Sequence, residues 1–217
     1  MEQAIGGILP IIVSATAILL AITVHEFSHG FAAYLQGDMT ARDHGRLTLN
    51  PIAHIDLVGT ILIPGLLILS GSPFVVGWAK PVPFNPHNLR SGRFGAFLVG
   101  LAGPLSNFLM FIAAGLFLKI FFPLFPSENF LILFLAQLLV INLILGIFNL
   151  IPVAPLDGSK ILFNLLPVRF DRIAEKLDLW GPYLLILLLV LENSFPLFGR
   201  LINVLLVWTG QILNLPL

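Results

Sequence analysis

The chain has 217 residues, of which 58% are hydrophobic and only 10% are charged, and its mean hydropathy is +1.00. Soluble domains carry about 25% charged residues, so most of this surface must face lipid, and the length allows one domain with roughly five or six spans of about 20 residues. The net charge is zero without any basic run, which argues against nucleic acid as a partner, and the absence of cysteine excludes disulfides and thiolate metal sites.

The first part of the chain predicts one long membrane helix and one short re-entrant segment. The helix is expected over residues 8–35, and we interpret it as a retained membrane helix because the preceding residues lack the basic start of a secretory signal. Residues 57–69 are apolar, but the segment is short and contains glycine and proline, which favours a re-entrant segment over a full span. The run from 74 to 83 has β-like stretches, and its prolines suit an exposed edge.

The second part predicts two clear spans and an apolar C-terminal region. The spans are expected at residues 94–118 and from 130 to about 150. Residues 169–178 alternate charged and apolar side chains, like a helix lying on the membrane surface. Two last apolar stretches, 183–191 and 201–213, predict one hairpin or one broken span. The predicted fold is therefore an all-α polytopic membrane protein with a three-helix core, a re-entrant or β-like segment and a C-terminal hydrophobic hairpin.

The lysines and arginines predict the orientation in the membrane. If residues 57–69 crossed fully, the basic residues of the two long polar loops would lie on opposite sides. If residues 57–69 re-enter instead, loops 36–93 and 154–179 lie on the same side of the membrane. Of the basic residues up to Lys176, only Lys119 then lies on the opposite side. Cytoplasmic loops carry the excess of basic residues, so we place both loops in the cytoplasm.

The first chemical motif is the run His25-Glu26-Phe27-Ser28-His29 near the end of the first predicted helix. Residues four apart share a helix face, so both imidazoles can reach one zinc ion. Glu26 sits about 100° around the helix from His25 and can take a proton from a metal-bound water. Polar groups deep in a membrane helix cost on the order of 3 kcal/mol and need a reason. The alternative is that the group lies at the helix end, in the interface, where the cost is small.

The third zinc ligand must come from a distant part of the chain. Catalytic zinc takes three protein ligands and keeps one open position, and no histidine or glutamate follows His29 at the spacing of the soluble families that add one soon afterwards. Asp157 is the best candidate because it follows a membrane helix broken by prolines, and irregular backbone at membrane depth lines a cavity or is packed in protein. Alternatively Asp157 caps the next helix, a role compatible with metal binding.

Three motifs together resemble the site-2 protease family of intramembrane metalloproteases. They are HEFSHG at 25–30, GPLSN at 103–107 and NLIPVAPLDG at 149–158, on three membrane segments in the family's order. The run GWAKPVPFNP at 77–86 looks like the compact prokaryotic branch. The resemblance covers about residues 8–166, the expected catalytic core of a single domain over 1–217.

The resemblance implies the chemistry and the setting of the site. It implies a three-helix core, one zinc ion on His25, His29 and Asp157, Glu26 as general base, and membrane-embedded helices of other proteins as substrates. It also implies a multi-pass protein of the prokaryotic plasma membrane. A short turn joins the two core spans, so the extramembrane domain that larger members insert there is absent, which puts regulation through such a domain in doubt.

Three further residues are predicted to bind substrate. Asn149 matches the family asparagine thought to hold the substrate backbone. Asn107 is grouped with it, although hydrogen bonding between helices, as for Asn142, is an equal alternative. Val76 lies in the β-like run, which can pair with an unwound substrate, or can simply be a loop that returns the chain to the interface.

Two other functions stay open at the level of sequence. In a transporter or channel, the same polar cluster would bind a carried ion or relay protons, but the inverted repeats common in transporters are not evident. The other open function is that of a catalytically silent adaptor that binds zinc. The intact Glu26 argues against it because a structural zinc site needs four ligands and no base. The sequence does not identify the substrate, the trigger or the oligomeric state.

Overall fold

The computed structural model describes residues 2–71 and 77–215, and within them it is helical without any strand. The α-helices are α1 Glu2–Leu35, α2 Thr40–Asp43, α3 Ile63–Leu69, α4 Gly92–Phe121, α5 Phe130–Asn149, α6 Asp157–Leu165, α7 Asp171–Ser194 and α8 Leu197–Leu213. A π-helix, Leu57–Leu62, leads into α3, and single 3₁₀ turns lie at Pro51–His54, Pro86–Asn88, Phe122–Leu124 and Val168–Phe170.

Helices α1, α4 and α5 form the core, with α4 packed between the other two and also against α6. The stretches Leu9–Leu35, Gly92–Leu124 and Phe130–Asn149 are long and apolar enough to cross a membrane, which confirms the predicted all-α polytopic fold. On α1, the fully buried Ala17 and Ala21 let the helices approach closely, as small residues do between membrane helices.

Helix α1 ends where the sequence predicts, through a glycine turn. The N–H of Gly37 bonds to the carbonyl of Tyr34 at 2.9 Å, and the N–H of Asp38 bonds to that of Ala33 at 3.0 Å. Gly37 has a φ of +99°, a backbone conformation that glycine adopts without a side-chain penalty. The turn places Asp38, which is fully buried, under the loop that follows.

The predicted re-entrant segment forms the helices Leu57–Leu62 and Ile63–Leu69, and its return to the same side of the membrane stays a prediction. At 1.5 Å per residue it is about 20 Å long, too short for a hydrocarbon core of about 30 Å. The chain then comes back to where the segment began, because the N–H of Trp78 bonds to the carbonyl of Gly59 at 3.0 Å and that of Lys80 to the carbonyl of His54 at 2.9 Å.

The predicted β-like run is only partly visible, since residues 72–76, and with them Val76, lie outside the described residues. The described remainder, residues 77–85, which we call the strap, is irregular and pairs with no strand in the described part of the chain. Pro81 and Pro83 lack an N–H group and cannot support a regular ladder. The β-like prediction is therefore not realised as a strand in the strap.

The C-terminal region differs from the prediction in one respect. The expected surface helix and the first apolar stretch form one continuous helix, α7, which Pro182 does not interrupt. Helix α8 follows at a bend of 69°, which fits either a broken span or a re-entrant loop. The carboxylate of Glu192 accepts from the N–H groups of Phe198 and Gly199 and so satisfies the first turn of α8.

Candidate metal centre

Three predicted metal ligands converge between α1 and α6. The Nε2 atoms of His25 and His29 lie 3.0 Å apart, and each lies 3.1 Å from Oδ2 of Asp157. The residues are buried, with exposed fractions of 7%, 8% and 5%. Leu156 is the N-cap of α6 and Asp157 is the first residue of the helix, and the carboxylate of Asp157 faces the histidines. The alternative role as a helix cap is not what the structure shows.

The outer nitrogens of both imidazoles settle which atoms carry protons. Nδ1 of His29 lies 2.7 Å from the carbonyl oxygen of Val99, which can only accept, so Nδ1 is protonated. Nδ1 of His25 lies 2.6 Å from Oδ1 of Asn107, whose amide nitrogen in turn donates to Oδ1 of Asn142 at 2.8 Å. In the neutral imidazoles each Nε2 then carries a lone pair, which is directed at the other two predicted ligands.

A metal cation fits this arrangement. With both imidazoles neutral, three lone-pair donors converge here, and a cation among them would relieve their mutual repulsion. Donors 3.0 to 3.1 Å apart match the edge of a tetrahedron around an ion about 2 Å from each atom, as zinc requires. Among the described residues, this is the one group of histidine and acidic side chains close enough to hold a metal.

Comparison with known proteins gives the family. A profile described as peptidase family M50 matches residues 126–191. YwhC of Bacillus subtilis, named as a candidate zinc metalloprotease, is 39% identical over 156 residues, which cover 69% of this chain and 67% of YwhC. The chain belongs to peptidase family M50. No solved structure matches it significantly.

Two mycobacterial relatives are both named Rip2 and, like YwhC, are named as candidate zinc metalloproteases. Each is longer than the part that it shares with this M50 chain. The protein of Mycolicibacterium smegmatis is 29% identical over 79% of this chain and 64% of its own length. That of Mycobacterium tuberculosis H37Rv is 30% identical over 64% of this chain and 52% of its own length.

M50 is the site-2 protease family, so this protein is an intramembrane zinc metalloprotease. The predicted function, the zinc cofactor and the integral membrane location are confirmed at this level. Neither the fold nor the relatives support the transporter alternative.

The GPLSN motif of this M50 chain has a structural explanation. A side chain at Gly103 would place its Cβ 2.3 Å from Nε2 of His29 and 2.6 Å from Cε1 of His25. Real Cβ atoms never approach so closely, so only glycine lets α4 lie directly against the two imidazoles. Asn107, one turn further along the same helix, then reaches His25.

The second oxygen of Asp157 has a partner that the sequence analysis did not single out. Nζ of Lys160 lies 3.1 Å from Oδ1 of Asp157, three residues earlier on the same helix. The Lys160 side chain is 47% exposed, whereas the aspartate is buried. One carboxylate oxygen thus faces the histidines while the other is held by an ammonium group. The spacing of three in LDGSK is the sequence signal that could have indicated this pair.

A small cavity lies beside the three ligands. Its volume is about 50 Å³, and its lining includes Glu26, His29, Asp157, Lys160 and the strap residues Pro81, Val82 and Phe84. This space is large enough to hold water beside the ligands. Oε2 of Glu26 accepts a hydrogen bond from the N–H of Val82 at 2.9 Å.

The predicted substrate-binding residues lie in three different places. Asn107 is fully buried, and its amide faces His25 rather than the cavity. Asn149 is half-buried at the last turn of α5, where its amide nitrogen donates to the carbonyl of Leu145 at 3.1 Å. Val76 lies outside the described residues. Substrate binding by Asn149 and Val76 stays a prediction, and Asn107 has a partner that explains it without substrate.

Proposed function

We propose that His25, His29 and Asp157 bind the zinc ion and that Glu26 is the general base in the hydrolysis of peptide bonds within or next to transmembrane helices of other membrane proteins. The observation that supports this best is the convergence of three lone-pair donors on one point, beside a water-sized cavity that Glu26 also lines.

Each residue has a definite task in this proposal. Zinc, when bound, polarises the scissile carbonyl and lowers the pKa of a coordinated water. Glu26 would take a proton from the attacking water at a carboxylate oxygen as the water oxygen bonds to the carbonyl carbon, and would pass that proton to the nitrogen as the C–N bond breaks. Asn107 and the carbonyl of Val99 hold the imidazoles with Nε2 turned inward. Lys160 holds Oδ1 of Asp157 and leaves Oδ2 for the metal.

A helical substrate must be unwound before its carbonyl can react. In a membrane helix that carbonyl is already hydrogen-bonded and is shielded by its neighbours. We propose that the run 74–83, with Val76 near its start, pairs with the extended substrate, and that Asn149 holds the substrate from the other side of the cleft. The contact of Pro81 and Val82 with the cavity supports this, because it puts one end of the run beside the metal ligands.

The same proposal includes the setting of the enzyme. We propose a single domain over 1–217 with its catalytic core at about 8–166, in a multi-pass protein of a prokaryotic plasma membrane with the active site towards the cytoplasm. A hydrogen bond of 2.9 Å from the N–H of Arg90 to the carbonyl of Gln36 supports placing both ends of the 36–93 loop on one side of the membrane. The basic residues of the loop favour the cytoplasm as that side.

The test of the function separates the base from the ligands. Purified protein in lipid vesicles is loaded with zinc, its metal content is measured, and it is incubated with single-span peptides. Glu26→Gln should keep near-stoichiometric zinc and lose cleavage, whereas His25→Ala, His29→Ala and Asp157→Ala should lose both. Cleavage by Glu26→Gln at the parent rate, or zinc lost in Glu26→Gln but kept in Asp157→Ala, would overturn the assignment.

A further inference from the structure

The strap is fixed to the protein through alternate backbone amides. The N–H groups of Trp78 and Lys80 donate to the carbonyls of Gly59 and His54 at 3.0 and 2.9 Å. The N–H of Val82 donates to Oε2 of Glu26 at 2.9 Å. In extended backbone every second N–H points the same way, so one edge of the strap faces the protein. The third amide along that edge reaches the carboxylate of Glu26.

Asp38 anchors the far end of the strap. Its Oδ2 accepts from the N–H of Asn85 at 2.7 Å, and its Oδ1 accepts from Nδ2 of Asn88 at 2.9 Å and from the hydroxyl of Thr40 at 2.6 Å. Asp38 is fully buried. Hydrogen bonds to a carboxylate are roughly twice as strong as those between neutral groups, so the strap is held firmly beyond Val82 as well as before it.

The backbone and side chain around Val82 also fix its amide. Pro81 and Pro83 restrict the backbone on both sides. The Val82 side chain is buried and packs on α1 at Gly30, where an added Cβ would lie 2.9 Å from Cγ1 of Val82. Gly30 is four residues after Glu26 and therefore on the same helix face. The amide is thus directed at Glu26 by packing and by tethers at both ends.

We infer that the main-chain amide of Val82 is a positioning donor for Glu26, an inference that rests on the proposed role of Glu26 as general base. The amide holds Oε2, which leaves Oε1 to take the proton in the cavity. Val82 is a positioning residue because it acts through Glu26 and touches no reacting atom. Misplacing a catalytic group by about 1 Å can cost up to about 100-fold in rate, so this contact has a measurable kinetic consequence.

The hydrogen bond itself can be tested without any measurement of cleavage. Because residues 81 and 83 are prolines, Val82 carries the one backbone N–H between them, and its hydrogen exchange can be assigned without overlap. In zinc-loaded Glu26→Ala the Val82 amide should exchange at least about tenfold faster than in the parent. The amides of Trp78 and Lys80 serve as internal controls and should keep their rates. Unchanged exchange at Val82 would overturn the inference, whatever the fate of the proposed function.

The kinetic consequence is tested by replacing the amide with an ester. The α-hydroxy acid analogue of valine at position 82 keeps the side chain and removes only the donor. We expect kcat to fall about tenfold, KM to change by less than about threefold, and zinc content to stay at the parent level. The same ester replacement at Leu131, whose N–H donates to Oδ1 of Asn129 at the start of α5, removes a comparable donor outside the site and should keep the parent kcat. A parent-like kcat in the Val82 ester, or an equal loss in the Leu131 ester, would refute the positioning role.

Discussion

Oδ1 of Asn107 and Nδ1 of His25 lie 2.6 Å apart, although the two residues sit on different helices and 82 positions apart in the chain. This bond fixes the tautomer in which Nε2 of His25 is free for the metal. Asn142 continues the contact from α5, with its own amide bonded to the carbonyl of Leu138 at 2.8 Å. The three core helices are therefore joined through a buried polar chain that ends on a proposed zinc ligand.

Asn107→Leu should weaken zinc binding by about 10- to 100-fold, the usual cost of losing such an outer partner. Leucine removes the acceptor for Nδ1 of His25 and nearly keeps the side-chain volume of asparagine. Asn107→Asp keeps an acceptor for Nδ1 and should bind zinc within about tenfold of the parent. Titration against a competing chelator measures both. Parent-like affinity in Asn107→Leu would leave the asparagine with only its helix-packing role.

Gly103→Ala should lose zinc without unfolding. The added methyl group would lie within 2.3 Å of Nε2 of His29, so both imidazoles must move away from Asp157. Gly65→Ala is the matched control, since nothing lies within 4 Å of a Cβ at that position. Metal content and thermal unfolding of the two variants in the same detergent make the comparison. Stoichiometric zinc in Gly103→Ala would show that α4 can shift to admit the methyl group.

Lys160→Met should lower zinc affinity by about tenfold, because Oδ1 of Asp157 loses its partner and the carboxylate is free to rotate. Lys160→Arg keeps a positive donor at similar reach and should lose less. Chelator competition again gives the affinities. Equal losses in the two variants would mean that the length of the side chain, rather than its charge, matters.

Single cysteines test the orientation, because the native chain has none. Thr40 and Asn88 both donate to Asp38 and therefore lie together. Cysteines at these two positions should react with an impermeant thiol reagent from the same, cytoplasmic side. Modification from opposite sides would make Leu57–Leu69 a true span, and modification of both from outside would reverse the proposed orientation.

Val76→Pro tests the run 74–83 as a substrate edge, since proline removes a backbone donor. Turnover of a helical substrate should fall, while zinc content and folding stay intact. A substrate whose helix is already broken by glycine or proline near the cut should lose less, because less unwinding is needed. If both substrates lose the same fraction of their turnover, the edge has no part in unwinding.

The sequence alone determined the parts of this protein that depend on local periodicity and composition. A repeat of 3.6 residues per turn puts His25 and His29 on one face, and long apolar runs predict the three spans that the structure contains. Asp157 could be singled out because a carboxylate after a broken membrane helix needs a compensating role. Re-entry of residues 57–69 is favoured by their length and by the placement of basic residues, and it stays a prediction.

Only the tertiary structure decided which groups hold the site in place. The sequence leaves Asn107 open between substrate binding and hydrogen bonding between helices, and substrate binding stays a prediction. Only the fold shows that its amide is turned to His25, because the direction of a side chain between packed helices depends on all its neighbours. Likewise, nothing in the composition of the chain marks the contact of Val82 with Glu26. Its donor is a main-chain N–H that every residue except proline possesses, so only the path of the folded backbone selects the one that reaches the proposed general base.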